Sequence, residues 1–507
     1  MTSTTVLIVG AGPTGLVLAL WLNAQGVDVR IVDKNASTAR QSRAMVVQAR
    51  TLELYRQLDL ADAVVQAGST TARFNMWVRG TRRGQIAFDR AGRDITPFPF
   101  LLTYPQDQHE TLLAARLEAV GVVVERETEL LDFDDDGAAI TARLHRPDGS
   151  VETCAADYIA GCDGGRSRVR EHLGIGFGGG TYEHLFYVAD VHATGAATDG
   201  EVHVAIDDAD FVAVFPYGRE GGMRLIGTVR DEREDAAETL AFGDVDHVAM
   251  ERLGLTVTQV NWFSTYRVHH RVADRYRQGR AFVVGDAAHV HSPAGGQGMN
   301  TGIGDAINLA WKLAAVVRGD ADESLLDTYG IERRAFAQRL VDTTDRMFTA
   351  AVSDSRLAQC IRTRIAPALA STATRFSPLR EFLFRTASQT RIHYRHSPLS
   401  SGQAGRLRGG DRLPWVPEDR TDNHAPLASI AWQVHVYGSA PPSLAQWAGG
   451  QGIALHAFEW TKRHGNAGLA RDAAYLIRPD THIAVANPSA EADVFDAYVR
   501  KVGIRLA

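Results

Sequence analysis

The chain has 507 residues, 45% of them hydrophobic and 22% charged, with a formal net charge of −6. That length suggests about three domains with several buried cores. The balance excludes a disordered tail protein, a collagen-like repeat and a disulfide-dense secreted scaffold, and with no basic stripe it argues against a nucleic-acid or anionic-membrane partner.

The first predicted element is Val6-Leu7-Ile8-Val9, a short β-branched run that reads as a buried strand. The turn from Gly10 to Gly15 follows, then a helix that stops near Gly26, and a second strand from Val27 to Val32 closed by Asp33. This is a βαβ unit with a glycine-rich first turn. The apolar stretch from Thr5 to Ala24 lacks the basic flank of a signal peptide, and its glycines read as a turn, so no membrane span is expected. Helical leucine spacing recurs from Glu110 to Ala119, and strands are predicted over 121–125, 139–144 and 158–161. The acidic run from Asp132 to Asp136 reads as a solvated turn. From 175 to 275 the pattern changes to strands such as 211–215 and 223–229, read as an inserted, mostly antiparallel sheet. A buried strand resumes at 281–284, and a long helix runs from about 298 to 317, followed by further helix to about 390. The stretch 397–414, rich in Ser, Gly, Arg and Pro, reads as a linker before a small α/β domain at 415–507. The expected division is thus 1–174, 175–275, 276–396, linker, 415–507. Three scattered cysteines, Cys154, Cys162 and Cys360, with no CxxC pair, fit a reducing, cytoplasmic compartment.

Three constellations carry chemistry. Gly10-x-Gly12-x-x-Gly15 before a helix, with Pro13 and Thr14 inside it and Asp33 and Lys34 at the next strand end, is the arrangement that binds a dinucleotide. The glycines let backbone approach a pyrophosphate, the helix N-terminus stabilises its charge, and the acid accepts ribose hydroxyls. The second, Cys162-Asp163-Gly164-Gly165, follows a strand and could equally be an Asx turn. The third runs from Gly285-Asp286 through Pro293, Gly295, Gly296, Gly298, Met299 and Asn300. A strand delivers an acid at its carboxyl end, and a loop of small residues then opens a helix whose free N–H groups favour negative charge. A planar ring could lie against such a loop. His269-His270 lack partner acids at ligand spacing, and no metal site is expected.

Together these three segments resemble the class A FAD-dependent aromatic hydroxylases, single-component flavoprotein monooxygenases. The match spans at least residues 5–340 and includes Ser42-Arg43-Ala44, Arg50 to Glu53, Pro105-Gln106, Leu325 to Tyr329 and Glu332 to Arg334. The tail segment Tyr475 to Asp480 is similar to the thioredoxin-like C-terminal domain of the phenol-hydroxylase-like branch, which includes phenol, hydroxyphenylpropionate and polyketide hydroxylases. The resemblance implies a Rossmann-like FAD domain, and FAD held by Gly10, Gly12, Gly15, Asp33 and Asp286. Asp33 would replace a more usual glutamate. Arg43 and Gln106 would meet the flavin, Asp163 would serve both FAD and NAD(P)H, residues 295–300 would line the isoalloxazine, and Pro293 would sit near the site of oxygen attack. The choice between NADH and NADPH stays open, as does that between monomer and homodimer.

The implied reaction is NAD(P)H-dependent reduction of the flavin, followed by O₂ capture as a C4a-hydroperoxide that transfers oxygen to an electron-rich ring. The peroxide must be shielded from water. Phe211, Val214, Phe215, Pro216, Tyr217 and Leu225 of the inserted sheet are the candidate substrate walls. A general base would help form a phenolate; His203, His289, His291 and Tyr217 are the candidates, none preferred. Alternatives of the same fold are a Baeyer–Villiger or epoxidising monooxygenase, and a scaffold in which FAD serves only structurally for binding or cyclisation.

Overall fold

The computed structural model describes residues 2–38, 44–206, 211–218, 221–229, 240–245, 247–291, 296–352, 365, 377–418 and 421–506. Arg43, Pro293 and Gly295 lie outside the described residues.

The first sheet is built on the strand Thr2–Val9, flanked in parallel by Val29–Val32 and Val151–Gly161. Val124–Glu125 and Ala281–Val283 extend it outward, also in parallel. Continuous apolar strands buried on both faces suit a parallel sheet covered by helices. The register aligns the carboxyl ends: Gly10 N–H donates to Val32 O at 2.8 Å, Cys162 N–H to Val9 O at 2.7 Å and Val284 N–H to Gly161 O at 2.9 Å. This one alignment brings the turns after three distant strands side by side, at the edge where open α/β sheets bind ligands. The helices Pro13–Ala24 and Gly298–Val317 pack on each other over the sheet, with Leu16, Val17, Trp21, Ile303 and Leu313 fully buried.

The second sheet runs in the order His289–Val290, Leu255–Ala273, Phe177–Gly195, Gly222–Val229, Phe211–Tyr217, Val202–Ile206, Arg73–Val78, Thr81–Ala87. All neighbours are antiparallel except Val202–Ile206 with Arg73–Val78. Two of its strands, Arg73–Val78 and Thr81–Ala87, come from the segment assigned to the first domain, a pairing over more than 120 residues that local pattern does not carry.

The segment 397–414 is not a free linker. Ser401–Ala404 and Leu407–Arg408 are the two outermost strands at one side of a six-stranded mixed sheet, ordered Leu407–Arg408, Ser401–Ala404, Ile483–Asn487, Ala474–Ile477, Gln433–Tyr437, Ala454–Phe458. The glycines that suggested a linker are needed there for close approach: a Cβ on Gly402 would lie 2.3 Å from Ala486 O. The acidic run is likewise mostly strand: Glu129–Asp135 pairs with Ile140–His145, and Phe133 is buried between acids that point to solvent. Only Asp136 turns, accepting from Ala138 and Ala139 N–H at 2.8 Å.

A chain of buried charges joins the C-terminal sheet to the first domain. Glu332 accepts from Lys312 Nζ at 2.8 Å and from both Arg478 nitrogens at 2.7 and 3.0 Å; Arg478 also meets Asp480. Nearby, Arg412 grips Glu53 at 2.5 and 2.7 Å, and Arg50 donates to Asp480 O at 2.9 Å. All seven side chains are buried, so each charge depends on its neighbours for solvation.

Candidate active site

The glycine turn divides its labour. Gly10 sits at φ +104°, where a Cβ would meet Cys162 O at 2.4 Å, and a Cβ on Gly15 would meet Gly10 O at 2.0 Å. These two permit the strand, turn and helix to pack. A Cβ on Gly12 would find no atom nearer than Glu110 Oε1 at 4.0 Å. Gly12 therefore opens onto free space, and the helix that starts at Pro13 has no side-chain cap for its first N–H groups. An uncapped helix start facing open space suits an anionic group such as a pyrophosphate. On the far side of that space Gln106 Nε2 donates to Glu110 Oε1 at 2.8 Å.

Asp33 caps the turn, accepting from Ala11 N–H at 2.7 Å and from the Asn35 backbone and side chain at 2.8 and 2.9 Å. Its short side chain braces the turn and is largely buried, while Lys34 beside it is exposed. Asp163 is an N-terminal brace for a short helix: Oδ2 accepts from Arg168 and Val169 N–H at 2.7 and 3.2 Å. Its Oδ1 is buried with no partner. Burial raises the Asp163 carboxyl pKa against the pull of the hydrogen bonds from Ser167 and the backbone. Arg170 then ties this segment to the third, donating to Ala287 O and Gly165 O, both at 3.0 Å.

In the third segment Thr14 is wedged between two glycines: a Cβ on Gly285 or on Gly302 would lie 2.6 or 2.4 Å from Thr14 Oγ1. Thr14 thus locks the first turn to the third. Asp286, just past the carboxyl end of Ala281–Val283, is exposed, and desolvation by the surrounding protein raises its carboxyl pKa. Hydroxyl donors from a ligand would relieve that penalty. Gly296, at φ +62°, presses against Val46, whose Cβ would be 2.7 Å from an added Cβ. Asn300, read in the sequence as a flavin-lining residue, has all its side-chain valences used within the protein. Its Nδ2 donates to Val46 O and Gly296 O at 2.8 and 2.9 Å; its Oδ1 accepts from Gln48 N–H and Thr51 Oγ1, both at 2.8 Å. It is a clamp that sets the loop against residues 46–51. The helix Gly298–Val317 begins without a side-chain cap, and Met299 is half-buried against the core.

Beneath this loop lies a relay the sequence reading missed. Asp305 accepts from Gly285 N–H at 3.2 Å, meets His289 Nε2 at 2.6 Å and is held by Arg333 at 2.5 Å; Arg333 reaches Tyr394 Oη at 2.8 Å. Burial works to raise the Asp305 carboxyl, but Arg333 and His289 outweigh it and hold the pKa low. His289 is fully enclosed in this network, so it is placed to fix the turn rather than to reach a ligand. Only the alternation of polar residues inside an otherwise apolar helix hinted at Asp305. Of the other base candidates, His203 is held between Trp77 Nε1 at 3.1 Å and Asp199 at 2.7 Å.

The inserted sheet offers two faces with opposite fates. Val214 and Leu225 point into a core with Met223, Met250 and Leu253 beneath the helix Val248–Arg252, so they line no cleft. Phe211, Ala213, Phe215 and Ile226 lie on the other face, with Val202, Val204, Phe74 and Leu101. That face is pinned to the first domain where Thr103 Oγ1 donates to Pro216 O at 2.7 Å. Tyr217 follows at the sheet's end, its ring 5.7 Å from the Arg224 guanidinium, which is itself held by Asp190 through two bonds of 2.7 Å. Burial, and then Asp190, raise the Tyr217 phenol pKa.

Among the described residues no group of three or more His, Cys, Asp or Glu could hold a metal ion, and no helix is long and apolar enough to cross a membrane. An α/β sheet with three aligned turns, an open glycine, an unpartnered buried carboxylate oxygen and a further acid at a strand's carboxyl end suits an FAD-binding protein. The chain belongs to the family described as FAD binding domain, whose model matches residues 3–344, and is a class A FAD-dependent aromatic hydroxylase. It is 39% identical over 408 residues to 6-methylpretetramide 4-monooxygenase of Streptomyces rimosus, covering 78% of this chain and 71% of that one. In structure it is similar to the OxyS anhydrotetracycline hydroxylase of Streptomyces rimosus, with a TM-score of 0.79, 28% identity and full coverage of both chains. It is also similar to the Diels-Alderase PyrE3 of pyrroindomycin biosynthesis, with a TM-score of 0.77 and 27% identity, over 99% of this chain and 100% of that one. The protein is an enzyme, an FAD-dependent monooxygenase that consumes NAD(P)H and O₂.

Proposed function

We propose that the substrate is a polycyclic phenol of polyketide type, bound between the apolar face of the inserted sheet and the turns of the first domain. The observation that carries this reading is the broad face of Phe211, Ala213, Phe215 and Ile226, continued by Phe74 and Leu101 and pinned at Thr103. A face of that breadth buries fused rings better than one small ring. The polycyclic substrates named for the relatives in Streptomyces rimosus support it.

In this reading the first domain is Rossmann-like, since its parallel strand order centres on the glycine turn. Gly10, Gly12, Pro13, Thr14 and Gly15 shape the pyrophosphate seat, Asp33 takes the ribose, Asp163 and Asp286 receive hydroxyls, and Gln106 with Arg43 bounds the opposite wall. Gly296, Gly298 and Met299, with Pro293 and Gly295, border the ring. FAD supplies the hydride acceptor and the oxygen-activating centre. The chain supplies position and dryness: Asn300 fixes the loop, Phe211 and Phe215 exclude water, and the Tyr217 phenol, beside Arg224, orients a substrate hydroxyl. The C-terminal unit is thioredoxin-like in its mixed sheet and flanking helices. The chain has no cysteine after Cys360, so this unit serves packing or dimer contact rather than thiol exchange. The reading places the enzyme in the cytoplasm.

The test is a panel of phenols graded from one ring to four, scored by NAD(P)H oxidation against hydrogen peroxide release under ¹⁸O₂. The expected result is coupled turnover, with one labelled oxygen in the product, rising with ring number. Best coupling on single-ring phenols would overturn the substrate class. The likeness to a Diels-Alderase gives a second reading, FAD as a scaffold, and a bound flavin that NAD(P)H fails to reduce would favour it.

A further inference from the structure

His291 follows the strand His289–Val290 and leads into the glycine loop. It stands one strand repeat past His289, and the two rings lie parallel, 16° apart with centroids at 6.3 Å. Their surroundings differ. His289 is buried and bonded to Asp305 at 2.6 Å. His291 is half-buried, and its ring rests on the first residue of the helix Gly298–Val317: a Cβ on Gly298 would lie 3.8 Å from both Cε1 and Nε2. That is ordinary van der Waals contact, so the nitrogen-bearing edge of the ring borders the helix start. Negative charge is favoured at such a start, and the chain places none there. The first turn has no acid and no side-chain cap, and residues 298–304 contain no ionisable side chain. The first acid of the helix, Asp305, is held by Arg333 and His289.

The other ionisable groups around His291 come from three directions. On the strand Leu255–Ala273, Arg271 pairs with Val290, which sets His270 level with His291. Gly165, whose Cβ would lie 3.5 Å from Val290 Cγ1, carries the exposed Arg166 beside it. Asp286 lies on the preceding turn and interacts with the charge of His289, and Tyr276 stacks on the far side of His289 at 6.2 Å. An imidazolium at His291 faces the positive end of the helix and is disfavoured until negative charge arrives there. We propose that His291 is the proton site linked to flavin reduction. This rests on the reading above that Gly298 borders the flavin ring. Hydride transfer from NAD(P)H adds one hydrogen and two electrons and leaves one negative charge at the ring. His291 takes one proton from water in the same step, which balances that charge. When O₂ reoxidises the flavin without substrate, His291 gives up this proton, and it leaves with the transferred hydrogen as hydrogen peroxide.

The test is the midpoint potential of the full-length FAD-loaded enzyme from about pH 6 to 9, read by anaerobic dye equilibration. The wild-type potential should fall with pH more steeply than that of His291→Asn. The extra slope should reach one proton per two electrons, a tenfold change in the equilibrium per pH unit or about 30 mV. His291→Lys keeps a fixed cation, so it should share the shallow slope of His291→Asn while sitting at a higher potential. His270→Asn should keep the wild-type slope. A second measurement needs no variant: anaerobic reduction of the wild-type enzyme by NAD(P)H in weakly buffered indicator dye should consume up to one proton per flavin. Equal slopes in wild type and His291→Asn, loss of the slope in His270→Asn, or no proton consumed on reduction would each overturn the proposal. A wild-type protein that holds no FAD would instead sink the reading of the flavin site on which it rests.

Discussion

The three glycines of the first turn look equivalent in the sequence but answer to different neighbours, and this gives a sharp residue-level test. Gly10→Ala and Gly15→Ala each drive a Cβ into backbone, at 2.4 and 2.0 Å, and should yield insoluble protein. Gly12→Ala meets nothing closer than Glu110 Oε1 at 4.0 Å and should fold with a wild-type melting curve. It should nonetheless lower FAD affinity tenfold or more, about 1.4 kcal/mol, because the methyl occupies the seat of the ligand. Fluorescence titration of the apoprotein with FAD reads the difference; unchanged affinity would remove Gly12 from the pyrophosphate seat. Asp286→Ala should purify largely colourless, and a fully yellow variant would count against its assignment. Asn300 behaves differently from both: as a clamp with four internal hydrogen bonds, its loss should cost fold stability as well as flavin.

At the scale of single elements, the strands of the inserted sheet show how alternation decides function. Leu225→Ala empties a closed core and should cost about 2–5 kcal/mol in urea denaturation, with the kinetics of the surviving enzyme little changed. Phe215→Ala lies on the cleft face and should do the reverse: modest destabilisation, but more NAD(P)H oxidised to peroxide per product formed. Equal uncoupling by the two variants would contradict the assignment of faces. Both residues stood in the same strand pair of the sequence reading, since periodicity says that two faces exist but not which one is roofed. The roof is the helix Val248–Arg252, and the cleft side is completed by Arg73–Val78. The three turns were legible because each is a local strand–turn–helix signal with its glycine and acid in place. The strands at 401–408 were not, because their extended form comes from pairing with residues eighty positions away. Asp305 was hidden for a similar reason: an acid inside an apolar helix gains meaning only when His289 and Arg333 meet it in space.

For the molecule as a whole, buried titratable groups set the response to acid. Burial holds the His109 imidazole down to about 3, and burial with Arg412 holds His424 at about 4. In the unfolded chain both bind a proton near pH 6.5, so the folded state forgoes protons over that interval and stability falls as the pH drops below about 6.5. Glu53 adds a later loss. Its burial works upward, but Arg412 and Arg50 bring it to about 2, so its contribution is present above pH 4.5 and fades as the pH falls toward 2. The urea midpoint should therefore drop between pH 7 and 5 and again below 4.5. His109→Asn should flatten the first decline; a wild-type midpoint constant from pH 7 to 5 would refute it. Lys312→Met should cost about 3–5 kcal/mol at pH 7, because it strips a cation from the buried Glu332 cluster. That cluster also limits how the enzyme can be recombined. Lys312 and Glu332 sit in the half that binds the cofactor, Arg478 and Asp480 in the tail, so a graft that exchanges tails between homologues must carry all four together or bring an equivalent set. The hundred residues at the end of the chain are therefore not a detachable appendix but the counter-charge of the helix Gly298–Val317 and of Glu332 beside it.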